Sequence, residues 1–188
     1  MPTKTPGDDE INCKVVYYGA AASGKTSNLT RLHVEAPAEA KGELLALAAE
    51  PGFFDFLPLD LGVVRGRKVR FHIYSSPSQT AHLSTREMLL SGVDGIVFVV
   101  DSQRNRFREN VTSFEEMEHI LRALGRPTSD VPLVLQYNKR DLPDAMPVSI
   151  LNARLNSLTL PSFPAVATKG LGVMSTLRSI GELVLAKL

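Results

Sequence analysis

The densest chemistry in this chain lies in Gly19-Ala-Ala-Ala-Ser-Gly24-Lys25-Thr26. The pattern G-x-x-x-x-G-K-[ST] is that of a phosphate-binding loop. Backbone N–H groups around Gly24 can converge on phosphate oxygens, helped by the positive end of a following helix. Lys25 would neutralise the terminal phosphates, and the Thr26 hydroxyl suits Mg²⁺. Gly19, Ala22, Ser23, Gly24, Lys25, Thr26 and Ser27 are therefore the expected phosphate-side contacts, with Thr26 the expected metal ligand. The context fits: Val15, Val16 and Tyr17 read as a strand before the loop, and Lys25–Glu35 as a helix after it.

A second group, Asn138-Lys139-Arg140-Asp141, directly follows a buried-looking strand, Val131–Tyr137. A carboxylate there can accept hydrogen bonds from the N1–H and 2-amino groups of guanine. Adenine has no donor at either place and would leave that charge unpaired, which is a basis for specificity. Alone, this charged turn says little. More than a hundred residues after a phosphate loop, with Asn138, Lys139 and Asp141 all at a strand end, it points to a guanine nucleotide, GTP or GDP. A third, weaker signal is Val166-Ala167-Thr168-Lys169-Gly170, where the Ala167 N–H is placed to meet the guanine O6, with Thr168 beside it. A P-loop kinase or ATPase is the competing class. The NKRD group speaks against it, as does the lack of an evident acceptor-substrate site.

The elements that must position these groups alternate along the chain. Strands are expected over Cys13–Tyr18, Phe56–Val64, Lys68–Ser75, Gly95–Val100, Val131–Tyr137 and Phe163–Ala167. Helices are expected over Lys25–Glu35, Leu83–Leu90, Thr112–Leu124, Val148–Leu158 and Val173–Lys187. The continuous apolar run Val97–Val100 suits a strand buried on both faces. Arg65-Gly66-Arg67, between alternating segments, suits a hairpin. The expected fold is α/β: a mostly parallel six- or seven-stranded sheet with one antiparallel strand and helices on both faces. Ligands of such sheets sit at the carboxyl ends of the strands.

P-loop, NKxD and a small-residue turn before the last helix, in this order, resemble a Ras-like small GTPase. Phe53-Phe-Asp-Phe-Leu-Pro-Leu-Asp-Leu-Gly62, Phe71-His-Ile-Tyr74, Val93–Gln103 and Asn138-Lys-Arg-Asp-Leu-Pro143 narrow the resemblance to the MglA family of bacterial small GTPases. It covers about residues 11–188. It implies a Ras-like P-loop domain and a GTP/GDP switch in cell polarity or gliding motility. It also implies a roadblock/LC7-type (MglB-like) regulator, effectors that bind the switch segments, and recruitment to a cell pole.

The chain departs from the family pattern in its switches. Where MglA proteins carry Thr-x-Pro-Gly-Gln, this chain has Ser75-Ser-Pro-Ser78-Gln79. The resemblance makes Gln79 the catalytic residue that orients water, and puts Ser78 where a glycine N–H meets the γ-phosphate. Glu50 and Pro51 stand where an arginine and a Mg²⁺-binding threonine are expected, and Asp55 or Asp60 is left as the second Mg²⁺ contact. Ala21 and Ala22 occupy loop positions that are often glycine. Binding groups are kept and catalytic groups changed, so slow or partner-dependent hydrolysis is expected. The alternative is a pseudo-GTPase that serves as an interaction module.

Bulk properties agree and exclude. The chain has 188 residues, 44% of them hydrophobic, with 21 basic against 20 acidic side chains. That balance gives no electrostatic basis for nucleic-acid binding. One cysteine, Cys13, excludes an internal disulfide and fits a cytoplasmic protein. No apolar run spans a bilayer, and neither end carries a lipidation motif, so no intrinsic membrane anchor is expected. Residues 1–10 read as a disordered tail and 11–188 as one G domain. His33, His72, His82 and His119 lack metal-ligand spacing; Arg104, Arg106 and Arg108 read as a solvated loop or, more sharply, as a partner contact near the nucleotide; Phe53, Phe54 and Phe56 read as core or switch packing, with an exposed Phe53 or Phe54 pointing instead to an effector surface.

Overall fold

The computed structural model describes residues 10–49, 52–77 and 83–188. In chain order they form β1 (Glu10–Tyr18), α1 (Lys25–Glu35), β2 (Leu45–Ala49), β3 (Gly52–Val64), β4 (Arg67–Ser75), α2 (Leu83–Leu90) and β5 (Gly95–Asp101). There follow α3 (Phe107–Ala123), β6 (Leu133–Asn138), α4 (Val148–Leu155), β7 (Ser162–Pro164) and α5 (Val173–Leu185). The seven strands make one sheet in the order β2-β3-β4-β1-β5-β6-β7. β4, β1, β5, β6 and β7 pair in parallel; β3 pairs antiparallel with both β2 and β4 and is the one strand that runs against the rest.

The apolar pattern explains the layering. All seven residues of β5 are buried, as a central parallel strand requires. Odd positions of β1 and β5, Val15, Tyr17, Val97 and Val99, pack with Leu29 and Leu32 of α1 and Leu177, Ile180 and Val184 of α5. Even positions, Val16, Tyr18, Ile96 and Phe98, pack with Leu89 of α2, Met117 and Leu121 of α3 and Leu151 of α4. Each such side chain, fully buried, gains roughly 1.5–3 kcal/mol from leaving water. Gly95 lets α5 ride close, because a Cβ there would strike Val184 and Ile180.

Several boundaries differ from expectation, each for a local reason. β2 was not anticipated; its sequence, LALAA, has no β-branched or aromatic residue and relies on pairing with β3. Glu10 belongs to β1, not to a tail, because it pairs along β4 with Lys68. α3 starts at Phe107 rather than Thr112, and a short 3-10 turn, Arg104–Arg106, precedes it. Ala167–Lys169 is likewise a 3-10 turn, not strand. The hairpin between β3 and β4 is tighter than expected. Its two turn residues, Arg65 and Gly66, have φ of 52° and 80°, the positive pair that matches strand twist.

Candidate functional site

Parallel strands all deliver their carboxyl ends to one sheet edge, so Gly19, Ser75, Asp101 and Asn138 arrive there together. The reversed β3 brings the start of its run, Asp55, to the same edge.

The phosphate loop leaves β1 at Gly19, which has φ 147° and no room for a Cβ beside the Val99 carbonyl. Gly24, φ 105°, closes the loop, and a Cβ there would collide with Asn138. Ala22 is held at φ 59°, a conformation non-glycine residues adopt only when their surroundings dictate it. Ser23 is fully buried. The Lys25 ammonium turns back over the loop and donates to the carbonyls of Gly19 (2.9 Å) and Ala20 (2.8 Å). Burial first, and then the nearby Arg86 charge, lower the Lys25 pKa to about 7; Asp55 opposes them.

Thr26, the first-turn residue of α1, donates from Oγ1 to Asp55 Oδ2 at 2.6 Å. Ser75 Oγ donates to the same oxygen at 2.7 Å and accepts from the Asp55 N–H at 2.9 Å. The two carboxylates left open by the sequence are thereby separated. Asp55 belongs to the loop's surroundings, whereas Asp60 is ion-paired with Arg70 at 2.5 Å. Arg86 is buried, pairs with Glu116, and donates to the Pro77 carbonyl.

One amide ties the loop after β1 to the turns after β6 and β7. Asn138 donates from Nδ2 to the Ser23 carbonyl (2.8 Å) and accepts at Oδ1 from the Ala167 N–H (2.9 Å). This corrects the expected role of Ala167: its N–H is engaged by Asn138 and does not face the cleft as a free donor. Thr168, Ala167, Asn138, Lys139, Asp141, Ser27 and Gly24 line a cleft of about 210 Å³. Lys139, at φ 63°, places its Nζ 2.7 Å from Asp101 Oδ2. Asp141 faces Lys169 at 3.3 Å in a half-open pair.

The arginine cluster is not uniformly a solvated loop. Arg104 and Arg108 are exposed, but Arg106 donates to the Ala21 carbonyl at 2.8 Å. Asp101, Asp55 and Arg106 are the residues that sequence reasoning missed or left unassigned. Gln79, Ser78, Glu50 and Pro51 lie outside the described residues, as does His82. Phe54 is buried, and Phe56 packs on Tyr74 with ring centroids 4.9 Å apart.

A loop of P-loop sequence at the end of the first strand, with a cleft built from two further strand ends on the same edge, fits one class: the small P-loop GTPases. Comparison with known proteins agrees. Residues 57–182 match the ADP-ribosylation factor family. The chain is 46% identical over 182 residues to the mutual gliding-motility protein MglA of Myxococcus xanthus (strain DK1622), an alignment covering 95% of this chain and 93% of that protein. The chain belongs to the ADP-ribosylation factor family of small GTPases, among its MglA-like members. It is accordingly a guanine-nucleotide-binding GTP hydrolase.

Proposed function

We propose that the chain is a GTP/GDP switch of MglA type, serving gliding motility or cell polarity, in which Thr26 and Asp55 together hold the Mg²⁺ that accompanies the nucleotide. The observation that carries this is the convergence of the Thr26 hydroxyl and the Ser75 hydroxyl on one Asp55 carboxylate oxygen, beside the phosphate loop. The donor set is all oxygen, as Mg²⁺ prefers. One carboxylate is what a site needs when the nucleotide phosphates supply the rest. Among the described residues there is no group of three or more His, Cys, Asp or Glu side chains that would form a self-contained metal cage. When bound, Mg²⁺ neutralises charge on the β- and γ-phosphate oxygens.

The remaining roles belong to the same proposal. The loop N–H groups and Lys25 take the phosphates. Asp141 takes N1–H and the 2-amino group, Lys139 lies along the base, and the Thr168 N–H replaces that of Ala167 at O6. Gln79 is the water-orienting residue and Ser78 the γ-phosphate contact. With an acid and a proline, Glu50 and Pro51, in the first switch, intrinsic turnover is slow and depends on a roadblock/LC7-type regulator. Switch-binding effectors read the GTP form, and a partner brings this otherwise cytoplasmic protein to a cell pole.

The test is single-turnover hydrolysis of loaded GTP, titrated with Mg²⁺. Asp55→Asn is expected to weaken the apparent Mg²⁺ affinity by about 10–100-fold. Asp60→Asn, whose carboxylate is engaged by Arg70, should leave the titration where it was. If the two variants titrate alike, the Asp55 assignment is wrong. If no GTP loads at all, the switch reading fails.

A further inference from the structure

Nothing assigned above uses Arg106. Its guanidinium reaches three partners: Nη2 donates to the Ala21 carbonyl (2.8 Å), Nη1 to Glu109 (3.0 Å), and Nε lies 3.9 Å from Asp101 Oδ2. Asp101 is itself buried, is tied at its own N–H to Asn110, and accepts from the Gln103 N–H (3.1 Å) and from Lys139 (2.7 Å). One arginine therefore contacts both the phosphate loop and the carboxylate that anchors the base-side lysine.

The peptide bond gives that contact a direction. In a planar trans peptide, C=O and N–H point opposite ways. A carbonyl at Ala21 drawn toward Arg106 turns the Ala22 N–H away from it. The surfaces agree: Ala21 lines the groove with Arg106 and Thr112, and Ala22 lines the nucleotide cleft with Gly24 and Asn138. Ala22 also keeps its left-handed φ of 59° without being glycine, which requires an external hold.

We propose that Arg106 is a positioning residue that fixes the Ala21–Ala22 peptide so that the Ala22 N–H is aimed at the nucleotide phosphates, and braces that peptide through Asp101 against Lys139. This rests on the reading that the cleft takes a guanine nucleotide. The arginine acts through the loop backbone and touches no substrate. A donor preset in this way stabilises charge developing on the phosphates without reorganising during the reaction. The same brace slows nucleotide escape.

Arg106→Met keeps the aliphatic stem and removes the planar fork. GDP release, followed with a fluorescent GDP, should quicken by about tenfold, and single-turnover hydrolysis of loaded GTP should slow by about tenfold. Arg106→Lys, which retains a donor for one carbonyl, should recover both rates to within about threefold of the parent. Thermal melting without nucleotide is read in parallel. A lowered midpoint with both rates within about twofold of the parent would mean a merely structural role and overturns the proposal, as do unchanged rates at an unchanged midpoint. Failure of the parent protein itself to load GTP defeats the reading of the cleft, and the brace with it.

Discussion

Lys25→Ala empties the site of nucleotide. The ammonium is buried and spends its donors on the Gly19 and Ala20 carbonyls, which are the places phosphate oxygens would take over. Bound phosphates without that cation are left as an unpaired buried charge, at a cost of about 3–5 kcal/mol. Affinity for GTP and GDP should therefore fall by a factor on the order of 10²–10⁴. The free protein should not suffer in step, because burial already works against the charged form of Lys25. Gel filtration after loading, with extraction of retained nucleotide, reads the first effect, and thermal melting the second. A variant that retains GTP like the parent would remove Lys25 from the phosphate site.

Asp141→Asn should exchange one base for another rather than weaken all binding equally. The carboxylate offers two acceptors, which match the paired donors N1–H and 2-amino of guanine. An amide offers one acceptor and one donor, which match N1–H and the C2 carbonyl of xanthine. Sites built on such buried polar matches discriminate by about 10⁴–10⁵. Asp141 is partly exposed beside Lys169, so a loss of GTP preference on the order of 10²–10³ is the fitting expectation. Competition of GTP, ATP and XTP against a fluorescent GDP measures it. Undiminished preference for GTP over XTP would place base recognition elsewhere.

What could be read from the sequence, and what could not, divides along one physical line. The helices α1 and α2 follow from local pattern, and they fall where periodicity puts them. The continuous apolar strands were legible because burial on both faces leaves no polar alternation. Asp55 was not legible, because its position depends on register. A plain count back from the Arg65-Gly66 turn sets Phe56 opposite Ser75 and turns Asp55 to the other face. The register shift between Asp60 and Val63, with Gly62 at φ 78°, moves the pairing by one residue, so Phe56 meets Tyr74 and Asp55 meets Ser75. Arg106 was hidden for a different reason. Three arginines at alternate positions look alike in sequence, and only the path of α3 past the loop selects one of them. Ala167 lines the cleft, but its N–H is taken by Asn138, a long-range contact with no local signal.

The lowered pKa of Lys25 has a consequence for the energetics of loading. Burial in the empty site moves this side chain toward its neutral form as pH rises above about 7, whereas phosphates drawn against it favour the ammonium. Capture of GTP or GDP must then draw a proton from the medium. The Lys25 contribution to affinity is therefore greatest below about pH 7 and weakens by up to tenfold per pH unit above it. The heat of binding should also vary with the ionisation enthalpy of the buffer, with a positive proton uptake that grows as pH is raised from 7 to 8. Isothermal titration calorimetry in Tris and in phosphate at pH 8 reads that uptake directly, and equal heats in the two buffers would show that the ammonium is charged before the nucleotide arrives.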